Sequence, residues 1–504
     1  MEIIIKIELI ANLILLLLFY MHMFQLNSYF LKKYGNWMKV NIKKILLRSI
    51  NIIIPTLILL FNNNIARIIS IIILAISILA NLPKSKAKIP LKFTNRVIRM
   101  FITQAILITI ICIISNNYIT FGVLNIIAFG LCIIANIINY PIEYGIRKHY
   151  INDAKKILKN MPNLIVIGVT GSYGKTSVKN FLVKTLSAKY EVLTTPKNYN
   201  TTMGVVKTIR EELKPIHQIF VCEMGATKIG DIKEICDIVN PKFGVITSIG
   251  PQHLESFKTI ENIIKTKFEL YDSVNKNGGI TFLNYDNEYL AKQNRSNTLA
   301  YGINNEKLDY NAYNLKSSSQ GLSFSINNVD FKTKLIGRHN IVNITGAIAV
   351  ANYLEIPLDR LVPRVREFKS VEHRLQLISK GNLNIIDDAY NSNPVSSKSA
   401  IDTLSEFDGT KIIVTPGLIE LGGDEEKYNF EFGEYMCDVC DYIFLVNSTI
   451  SKYVLNGINS KKYNNDKIFM VNSPQEAVMQ ITNFGLNDKI TVLLENDLPD
   501  NYNL

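Results

Sequence analysis

Residues 170–177, with the sequence TGSYGKTS, have the residue types and the spacing of a loop that binds phosphate groups. They follow a short apolar run, residues 164–169, and precede an amphipathic stretch, so a strand should lead into the loop and a helix should leave it. In that context backbone N–H groups point at phosphate oxygens, a lysine reaches the outer phosphates and a hydroxyl can bind Mg²⁺. The predicted nucleotide contacts of this loop are Gly171, Ser172, Gly174, Lys175, Thr176 and Ser177.

One position departs from the strict phosphate-loop pattern. The pattern has glycine where this chain has Val169, although Gly168 and Gly171 lie on either side of it. A Gly-Lys-Thr triplet in a loop is common by chance, but one placed between a strand and a helix is much rarer. The sequence therefore still predicts nucleotide binding.

Two further apolar runs end near side chains that could hold a metal ion. Residues 219–222 lead into Glu223, and residues 243–249 are followed by His253. Such residues collect at the carboxyl edge of a parallel sheet. Taken singly, Glu223 is equally compatible with a solvated strand end, and His253 with a hydrogen-bonded loop histidine. Lys267, in the segment KTKFE, is by itself typical of a solvated helix face.

Positive charge is concentrated in the first 150 residues. The whole chain of 504 residues has a net charge of +12, but residues 1–150 hold 16 Lys and Arg against 3 Asp and Glu, and the remainder holds 39 against 40. The basic character therefore describes one region and does not indicate a nucleic-acid partner. Six cysteines in a chain of this length do not form a disulfide framework.

The same region contains long apolar runs, which indicate a membrane domain with five spans. Lysine-rich connectors alternate with uncharged ones, so the positive-inside rule places the N-terminus outside and everything after Pro141 in the cytoplasm. The alternative is a cleaved signal peptide followed by a hydrophobic soluble domain. Against it, Lys6 is the single basic residue before the first apolar run, and four more apolar runs follow that one. The apolar runs are residues 9–24, 46–61, 65–82, 100–114 and 118–138.

From residue 151 onward, short apolar strands alternate with helical stretches, which predicts an α/β architecture with a parallel sheet. Polar and apolar residues alternate between positions 304 and 334, which predicts a small β excursion of this α/β region. The fold class is therefore an α-helical membrane domain over residues 1–150 followed by an α/β region.

Many ordered segments together resemble the Mur ligase family, and within it most closely the members that add D-alanyl-D-alanine. The resemblance runs from about residue 162 to about residue 448 in the family's order and with similar spacing, which makes it far more specific than a lone phosphate loop. The matching segments are residues 168–176, 197–200 with Gly204, 223–226, 250–255, 267–269, 283–286, 337–340 with Asn343, Arg374, 387–394 and 420–422.

The resemblance implies a central ATP-binding domain over residues 151–370 and a Rossmann-like C-terminal domain over residues 371–504. It also implies an ADP-forming amide ligase that activates a carboxylate as an acyl phosphate. The incoming amine would belong to an amino acid or a dipeptide, with D-alanyl-D-alanine favoured. The other substrate would be a cell-envelope precursor peptide, either UDP-linked or lipid-linked.

Roles for single residues follow from the same resemblance. The implied catalytic residues are Lys175, Glu223, His253 and Lys267. Two Mg²⁺ ions would be held by Thr176, Glu223, His253 and a carbamylated Lys267; burial favours carbamylation because only an uncharged lysine reacts with CO₂. Further ATP contacts would come from Asn284, Asn340, Arg374 and Asp388. Substrate contacts would come from Asn198, Asn200 and Thr201.

The family's usual N-terminal domain, which holds the UDP end of the substrate, is replaced by the membrane domain. This replacement suggests a lipid-linked or membrane-proximal substrate and membrane lipid as a partner. The same chemistry could instead make a poly-γ-glutamate-like polymer or a pseudomurein peptide. A nucleotide-binding membrane scaffold without catalysis would be expected to lose Glu223, His253 or Lys267, yet all three are present.

Overall fold

The computed structural model describes residues 1–61, 63–82, 90–196, 199–252, 254–390, 393–419, 421–447, 449–484 and 489–496, without the side chains of Lys44 and Glu255. The chain forms two compact units. The first covers Met1–His149, and the second begins at Tyr150.

The first unit is helical throughout the part that the structure describes. Four helices (the first, fourth, fifth and seventh) are long and apolar enough to cross a membrane, and the bent pair Leu31–Val40 and Ile45–Phe61 would make a fifth. The helices are α1 (Glu2–Leu26), α2 (Leu31–Val40), α3 (Ile42–Ile58), α4 (Asn64–Asn81), α5 (Asn95–Ile114), α6 (Tyr118–Ile126) and α7 (Ala128–Lys159), the last of which ends in the second unit.

The apolar run at residues 118–138, which was expected to form one span, does not form one continuous helix. The run is divided between α6 and α7 at Ile127. The Ile127 carbonyl accepts hydrogen bonds from the N–H groups of Gly130 and Leu131, so a new helix starts there. Helix α7 then continues to Lys159, well beyond the apolar run.

Side-chain amides join the helices of this unit. Asn12 on α1 donates to the Leu74 carbonyl on α4 at 3.2 Å and accepts from the Ser77 hydroxyl at 2.9 Å. Asn125 on α6 donates to the Leu9 carbonyl at 3.0 Å. Polar groups in an apolar bundle need such partners, and each bond fixes one helix against another.

The second unit begins with a nine-stranded sheet whose order is β2-β3-β1-β4-β5-β6-β7-β8-β9. The strands from β2 through β1 to β7 in this order pair in parallel. The β structure predicted for residues 304–334 is present, but β8 and β9 extend the main sheet as antiparallel strands at one edge. The strands are β1 (Ile165–Thr170), β2 (Val192–Thr194), β3 (Ile219–Glu223), β4 (Phe243–Ile246), β5 (Ile280–Asn284), β6 (Thr298–Ile303), β7 (Tyr310–Ser318), β8 (Gly321–Ile326) and β9 (Val329–Thr333). The helices are α8 (Lys175–Leu186), α9 (Thr202–Glu211), α10 (Asp231–Val239), α11 (Leu254–Phe257), α12 (Ile260–Lys276), α13 (Glu288–Ala291), α14 (His339–Tyr353) and α15 (Leu358–Arg366).

Strand β1 lies inside this sheet and packs on both faces. Ile167 and Val169 belong to one core, whereas Val166 belongs to the other, as the two-residue period of a strand requires. Gly168 faces Leu270 of α12, and a side chain there would collide with the end of Leu270. The glycine therefore allows α12 to approach the strand that leads into the phosphate loop.

A six-stranded sheet follows in the order β10-β11-β15-β12-β13-β14, parallel except for β10. It confirms the predicted second α/β region. Its strands are β10 (Gln376–Lys380), β11 (Leu383–Asp388), β12 (Thr410–Thr415), β13 (Tyr442–Val446), β14 (Ile468–Val471) and β15 (Ile490–Glu495). Its helices are α16 (Pro394–Ser405), α17 (Glu425–Cys437), α18 (Ser451–Ser460) and α19 (Pro474–Thr482).

Candidate active site

The loop between β1 and α8 has the strand–loop–helix context that the sequence predicts. Strand β1 ends at Thr170 and α8 begins at Lys175. Gly174 has a φ of 81°, a left-handed conformation, and a Cβ at Gly171 would collide with the Thr247 hydroxyl. Both glycines are therefore needed for the shape of the loop. Val169, the departure from the strict pattern, is a buried residue of β1 and lies before the loop.

The segment after β4 supports the phosphate loop from one side. The N–H of Ser172 donates to the Ser248 carbonyl at 2.8 Å, and the N–H of Tyr173 donates to the Ser248 hydroxyl at 2.8 Å. The Ser172 hydroxyl donates to the Gly250 carbonyl at 3.1 Å. Ser248 carried no predicted role, because this support depends on two strands that are distant in the chain.

Lys175 folds back over its own loop. Its Nζ donates to the carbonyls of Gly171 at 2.8 Å and Ser172 at 2.9 Å. Burial lowers the pKa of Lys175 to about 8, with Glu223 acting in the opposite direction and Arg374 lowering it further. Arg374 precedes β10, so a cation from the second sheet lies within electrostatic range of the phosphate loop.

Glu223 lies at the end of β3 and is the buried anion of the site. Its Oε1 accepts hydrogen bonds from the Thr176 hydroxyl at 3.2 Å and from Nδ2 of Asn200 at 2.9 Å. Its Oε2 lies 3.2 Å from Nζ of Lys179, and both side chains are only 2% exposed. Oε2 itself makes no hydrogen bond within the part of the chain that the structure describes.

Lys179, which carried no predicted role, completes this arrangement. Its Nζ also donates to the Thr195 carbonyl at 2.9 Å, on the segment that leads to Asn200. The only sequence signal is that Lys179 follows Thr176 by three residues on α8, so both side chains lie on one helix face. Nothing in the sequence alone shows that this face is turned toward Glu223.

Lys267 is a buried lysine of a different kind. It is 3% exposed on α12, and among the described residues it makes no hydrogen bond and no ion pair; the ring of Phe257 lies 6.0 Å from its Nζ. Burial lowers the pKa of Lys267 well below its ordinary value, and the charge of Lys175 lowers it further. An unpaired ammonium is costly in such a place, so the neutral amine is favoured.

Glu269, two residues after Lys267, caps another helix. Its carboxylate accepts hydrogen bonds from the N–H groups of Gly230 at 2.6 Å and Lys233 at 2.9 Å, at the beginning of α10. An anion at a helix N-terminus satisfies free N–H groups and interacts favourably with the helix dipole. Glu269 therefore fastens α12 to α10 next to Lys267.

Two residues predicted to contact ATP lie next to the first two strands of the second sheet, Arg374 before β10 and Asp388 at the end of β11. The Arg374 guanidinium lies 4.3 Å from the centre of the Tyr390 ring. Asp388, at the end of β11, accepts a hydrogen bond from the N–H of Leu375 at 3.0 Å. Burial raises the pKa of Asp388 to about 6, against the effect of Arg374.

Asn284 and Asn340 are both engaged in local hydrogen bonds. Asn284 donates to the Thr247 carbonyl at 2.8 Å, and Asn340 donates to the Ile336 carbonyl at 2.8 Å. Asn343, which carried no predicted role, is the α14 residue that lies against the phosphate loop, because a Cβ on Gly174 would be 2.8 Å from its Oδ1.

Of the remaining predicted residues, two lie at the beginnings of helices and two lie outside the described residues. Ser177 lies in the first turn of α8, and Thr201 caps α9 by accepting a hydrogen bond from the N–H of Gly204 at 3.4 Å. His253 and Asn198 lie outside the described residues. Within the described ranges, no group of three or more His, Cys, Asp or Glu side chains could hold a metal ion.

The fold and the site define a protein with two α/β domains, the first of which carries a loop of the phosphate-binding type. Residues 169–351 match the Mur ligase middle domain, and residues 373–494 match the Mur ligase, glutamate ligase domain. The chain belongs to the Mur ligase family.

Two relatives carry the same name, UDP-N-acetylmuramoyl-tripeptide–D-alanyl-D-alanine ligase. The protein of Bacillus subtilis is 32% identical over 285 residues, which are 55% of this chain and 62% of the relative. The protein of Buchnera aphidicola from Acyrthosiphon pisum is 30% identical over 341 residues, which are 66% of this chain and 73% of the relative. The chain thus spans less than two thirds of the Bacillus subtilis protein.

Solved structures of Mur ligases are similar to this chain in fold. MurF of Thermotoga maritima in complex with ADP has a TM-score of 0.62 and 27% identity, with 70% of this chain and 80% of that chain covered. MurF of Acinetobacter baumannii has a TM-score of 0.63 and 25% identity, with 70% and 77% covered. A pseudomurein peptide ligase of Methanothermus fervidus, at 21% identity and a TM-score of 0.54 with 67% and 77% covered, shares the fold.

Replacing Lys179 with Met should destabilise the first α/β domain by about 3–5 kcal/mol, because the buried carboxylate of Glu223 loses its ion-pair partner. Hydrogen–deuterium exchange of β1 and β3 peptides across a urea series would measure the loss. Tryptophan fluorescence would not, since the single tryptophan, Trp37, lies in the helical unit. Lys189→Met, which removes the exposed pair with Glu355, is the control and should change little. Equal, small effects of both substitutions would contradict the assigned pair.

Replacing Glu269 with Ala should free the first turn of α10 and cost about 1–3 kcal/mol, because two N–H groups lose a charged acceptor. We expect faster hydrogen–deuterium exchange of the backbone amides of α10 and of the α12 amides around Lys267. Asp272→Ala, on an exposed position of α12, is the matched control. Unchanged α10 exchange in the Glu269 variant would show that the cap contributes nothing.

Proposed function

We propose that this chain is an ATP-dependent ligase that joins D-alanyl-D-alanine to the peptide of a cell-envelope precursor and releases ADP and phosphate. The names of the two relatives suggest these substrates. The observation that carries the proposal is the buried Glu223 carboxylate beside Thr176 at the phosphate loop, since this arrangement can hold a metal–nucleotide complex. The proposed domains are residues 1–150, 151–370 and 371–504.

ATP would bind over the loop and the beginning of α8. Lys175 already has its Nζ at the loop, bonded to two carbonyls, and a phosphate chain would give it anionic partners in their place. Arg374 supplies a second cation from the other domain. In this proposal Asp388 contacts the ribose, Asn340 approaches the adenine, and Asn284 lies at the neighbouring strand end.

Mg²⁺ fits the residues at the end of β3. The buried Oε2 of Glu223 makes no hydrogen bond in the described part of the chain, and the Thr176 hydroxyl is bonded to the same carboxylate. These are oxygen ligands of the kind that Mg²⁺ prefers, and the phosphates would supply others. The ion would supply positive charge to the transferring phosphoryl group. A second ion, held by His253 and Lys267, rests on the family resemblance.

Lys267 is proposed to carry a carbamate. The neutral amine attacks CO₂ and loses one proton, which leaves an anionic oxygen ligand on a side chain that had been a cation. The support for this step is that Lys267 is buried, lacks a partner among the described residues and has a strongly lowered pKa.

The proposed reaction has two steps. The terminal carboxylate of the precursor attacks the γ-phosphorus of ATP, and ADP leaves, so that an acyl phosphate forms. The amine of D-alanyl-D-alanine then attacks the carbonyl carbon, loses a proton and expels phosphate. Lys175 and Arg374 offset the charge on the phosphoryl group, and closure of the C-terminal domain would exclude water from the acyl phosphate.

The precursor would enter along the segment before α9. Asn200 lies there, with its side chain on Glu223 and its carbonyl bonded to the N–H of Gly225 at 2.7 Å. Asn198 and Thr201 flank it in the sequence. The Asn200–Glu223 hydrogen bond supports a precursor site next to the proposed metal site.

The helical unit is proposed to cross the cell membrane several times, with the N-terminus outside and the ligase domains in the cytoplasm. Four long apolar helices and a bent pair support the spans, and the lysine-rich connectors support the orientation. A membrane-bound ligase would meet its precursor at the bilayer surface, so a lipid-linked precursor is the proposed substrate.

ADP release by the full chain in detergent should require ATP, a precursor tripeptide and D-alanyl-D-alanine together. Lys267→Ala should lower the rate by about 10²–10³, and short carboxylic acids should restore part of it because they replace the missing carboxylate. Lys265→Ala, on the exposed side of the same helix, is the control and should retain the rate. Wild-type release that is independent of the dipeptide would reject the ligase, whereas full activity of Lys267→Ala would reject only the carbamate.

Turnover on a lipid-linked precursor should exceed turnover on the soluble UDP-linked form by about tenfold in kcat/KM, which corresponds to about 1.4 kcal/mol of extra binding from the lipid. Both forms would be compared with the same peptide, in nanodiscs of one composition. Equal kcat/KM values for the two forms would remove the reason for proposing a lipid-linked substrate.

A further inference from the structure

An elongated cavity of about 900 Å³ lies within the helical unit, between α1 on one side and α5 with the beginning of α6 on the other. Its walls are mostly aliphatic and aromatic side chains, such as Leu13, Leu17, Ile108 and Phe121. The polar side chains in the wall, Gln104, Thr109 and Asn116, are all uncharged. A cavity with this lining suits a hydrocarbon chain.

Hydrogen bonds join α1 to the residues that flank α5. At one end the Gln25 side chain on α1 accepts from the N–H of Lys92 at 2.9 Å and donates to the carbonyl of the same residue at 2.9 Å. At the other end Nζ of Lys6 donates to the Asn116 carbonyl at 2.9 Å. Helix α1 is therefore held to both flanks of α5, and the space between the helices remains open. We call this space the α1–α5 slot.

The length of the slot indicates how long a hydrocarbon chain it can hold. Helix α5 has 20 residues, which at 1.5 Å per residue is about 30 Å, the thickness of a bilayer's hydrocarbon core. Lining residues extend from Phe93, before α5, to Asn116, after it. A phospholipid tail covers one leaflet, about half of that distance. The slot therefore suits a chain longer than a single phospholipid tail.

The two ends differ in chemistry. The end at Lys92 has an exposed lysine and an exposed aromatic ring, since Phe93 is 62% exposed and stacks on Phe101 with 6.1 Å between the ring centres. Both rings line the slot. In the orientation proposed above, this is the cytoplasmic end, where an anionic headgroup would meet the Lys92 ammonium.

We propose that the α1–α5 slot binds one long hydrocarbon chain of a polyprenyl phosphate lipid, with the phosphate beside Lys92. The inference rests on the proposed function and deepens it, because it names the part of the chain that would hold a lipid-linked precursor. The slot takes the role of a tether: it holds the lipid, and the peptide extends from the headgroup into the cytoplasm.

The test uses the full chain in nanodiscs and a photoreactive undecaprenyl phosphate as the probe. Labelling should map to α1 and α5 peptides that line the slot. Ala105→Trp, which fills the slot, should reduce labelling by about tenfold or more. Ile106→Trp is the matched control, since Ile106 is 54% exposed and lies outside the lining, and it should label like the wild type. Lys92→Gln should weaken labelling by about fivefold.

Two results would overturn the proposal that the slot binds a polyprenyl chain. One is equal labelling of Ala105→Trp and Ile106→Trp. The other is displacement of the probe by phosphatidylglycerol as effectively as by unlabelled undecaprenyl phosphate, because ordinary lipid would then be the occupant. ADP release on the soluble UDP-linked substrate, measured with the same proteins, reports the ligase separately. Loss of labelling in Ala105→Trp alongside an inactive wild type would support the slot and reject the proposed ligase.

Discussion

The Glu223 carboxylate is removed from water at the end of a central strand, and an anion in that place must be compensated. The compensating groups come from several elements: Thr176 and Lys179 from α8, and Asn200 from the segment before α9. A single negative charge thereby brings together the beginning of the nucleotide helix and the segment proposed to face the precursor. The Oε2 atom pairs with Nζ of Lys179 at 3.2 Å but accepts no hydrogen bond among the described residues, and a divalent cation would add a second charge partner.

Three lysines around this junction show how neighbours determine the chemistry of one residue type. Lys179 is buried and paired with Glu223, so its charge has a structural partner. Lys175 donates to two carbonyls of the phosphate loop, and the phosphates of a bound nucleotide would replace these carbonyls as its partners. Lys267 is buried with no partner among the described residues, which favours the neutral amine. The proposed roles as ion-pair partner, phosphate ligand and carbamate carrier follow from these differences.

The helical unit follows a different rule, because apolar side chains cover both the inside and the outside of its helices. Amide side chains such as Asn12 and Asn125 therefore join its helices through hydrogen bonds. Side-chain hydrogen bonds of Gln25 and Lys6 likewise join α1 to the two flanks of α5, on either side of the slot. A ligase with such a unit would bring the carboxylate-activating site and a lipid-bound substrate into one chain.

The sequence by itself determined the phosphate loop, the family, the apolar helices and the alternation of strands and helices, because each is a local pattern of residue types or an ordered series of them. Tertiary structure decided the rest. The turn at Ile127 divides a run that is mostly apolar, and the ion pair of Lys179 with Glu223 joins residues 44 positions apart. The contact of Asn343 with the phosphate loop and the capping of α10 by Glu269 are of the same kind. Such contacts depend on which faces of distant elements meet, and burial, which sets the pKa of Lys267, exists only once they have met.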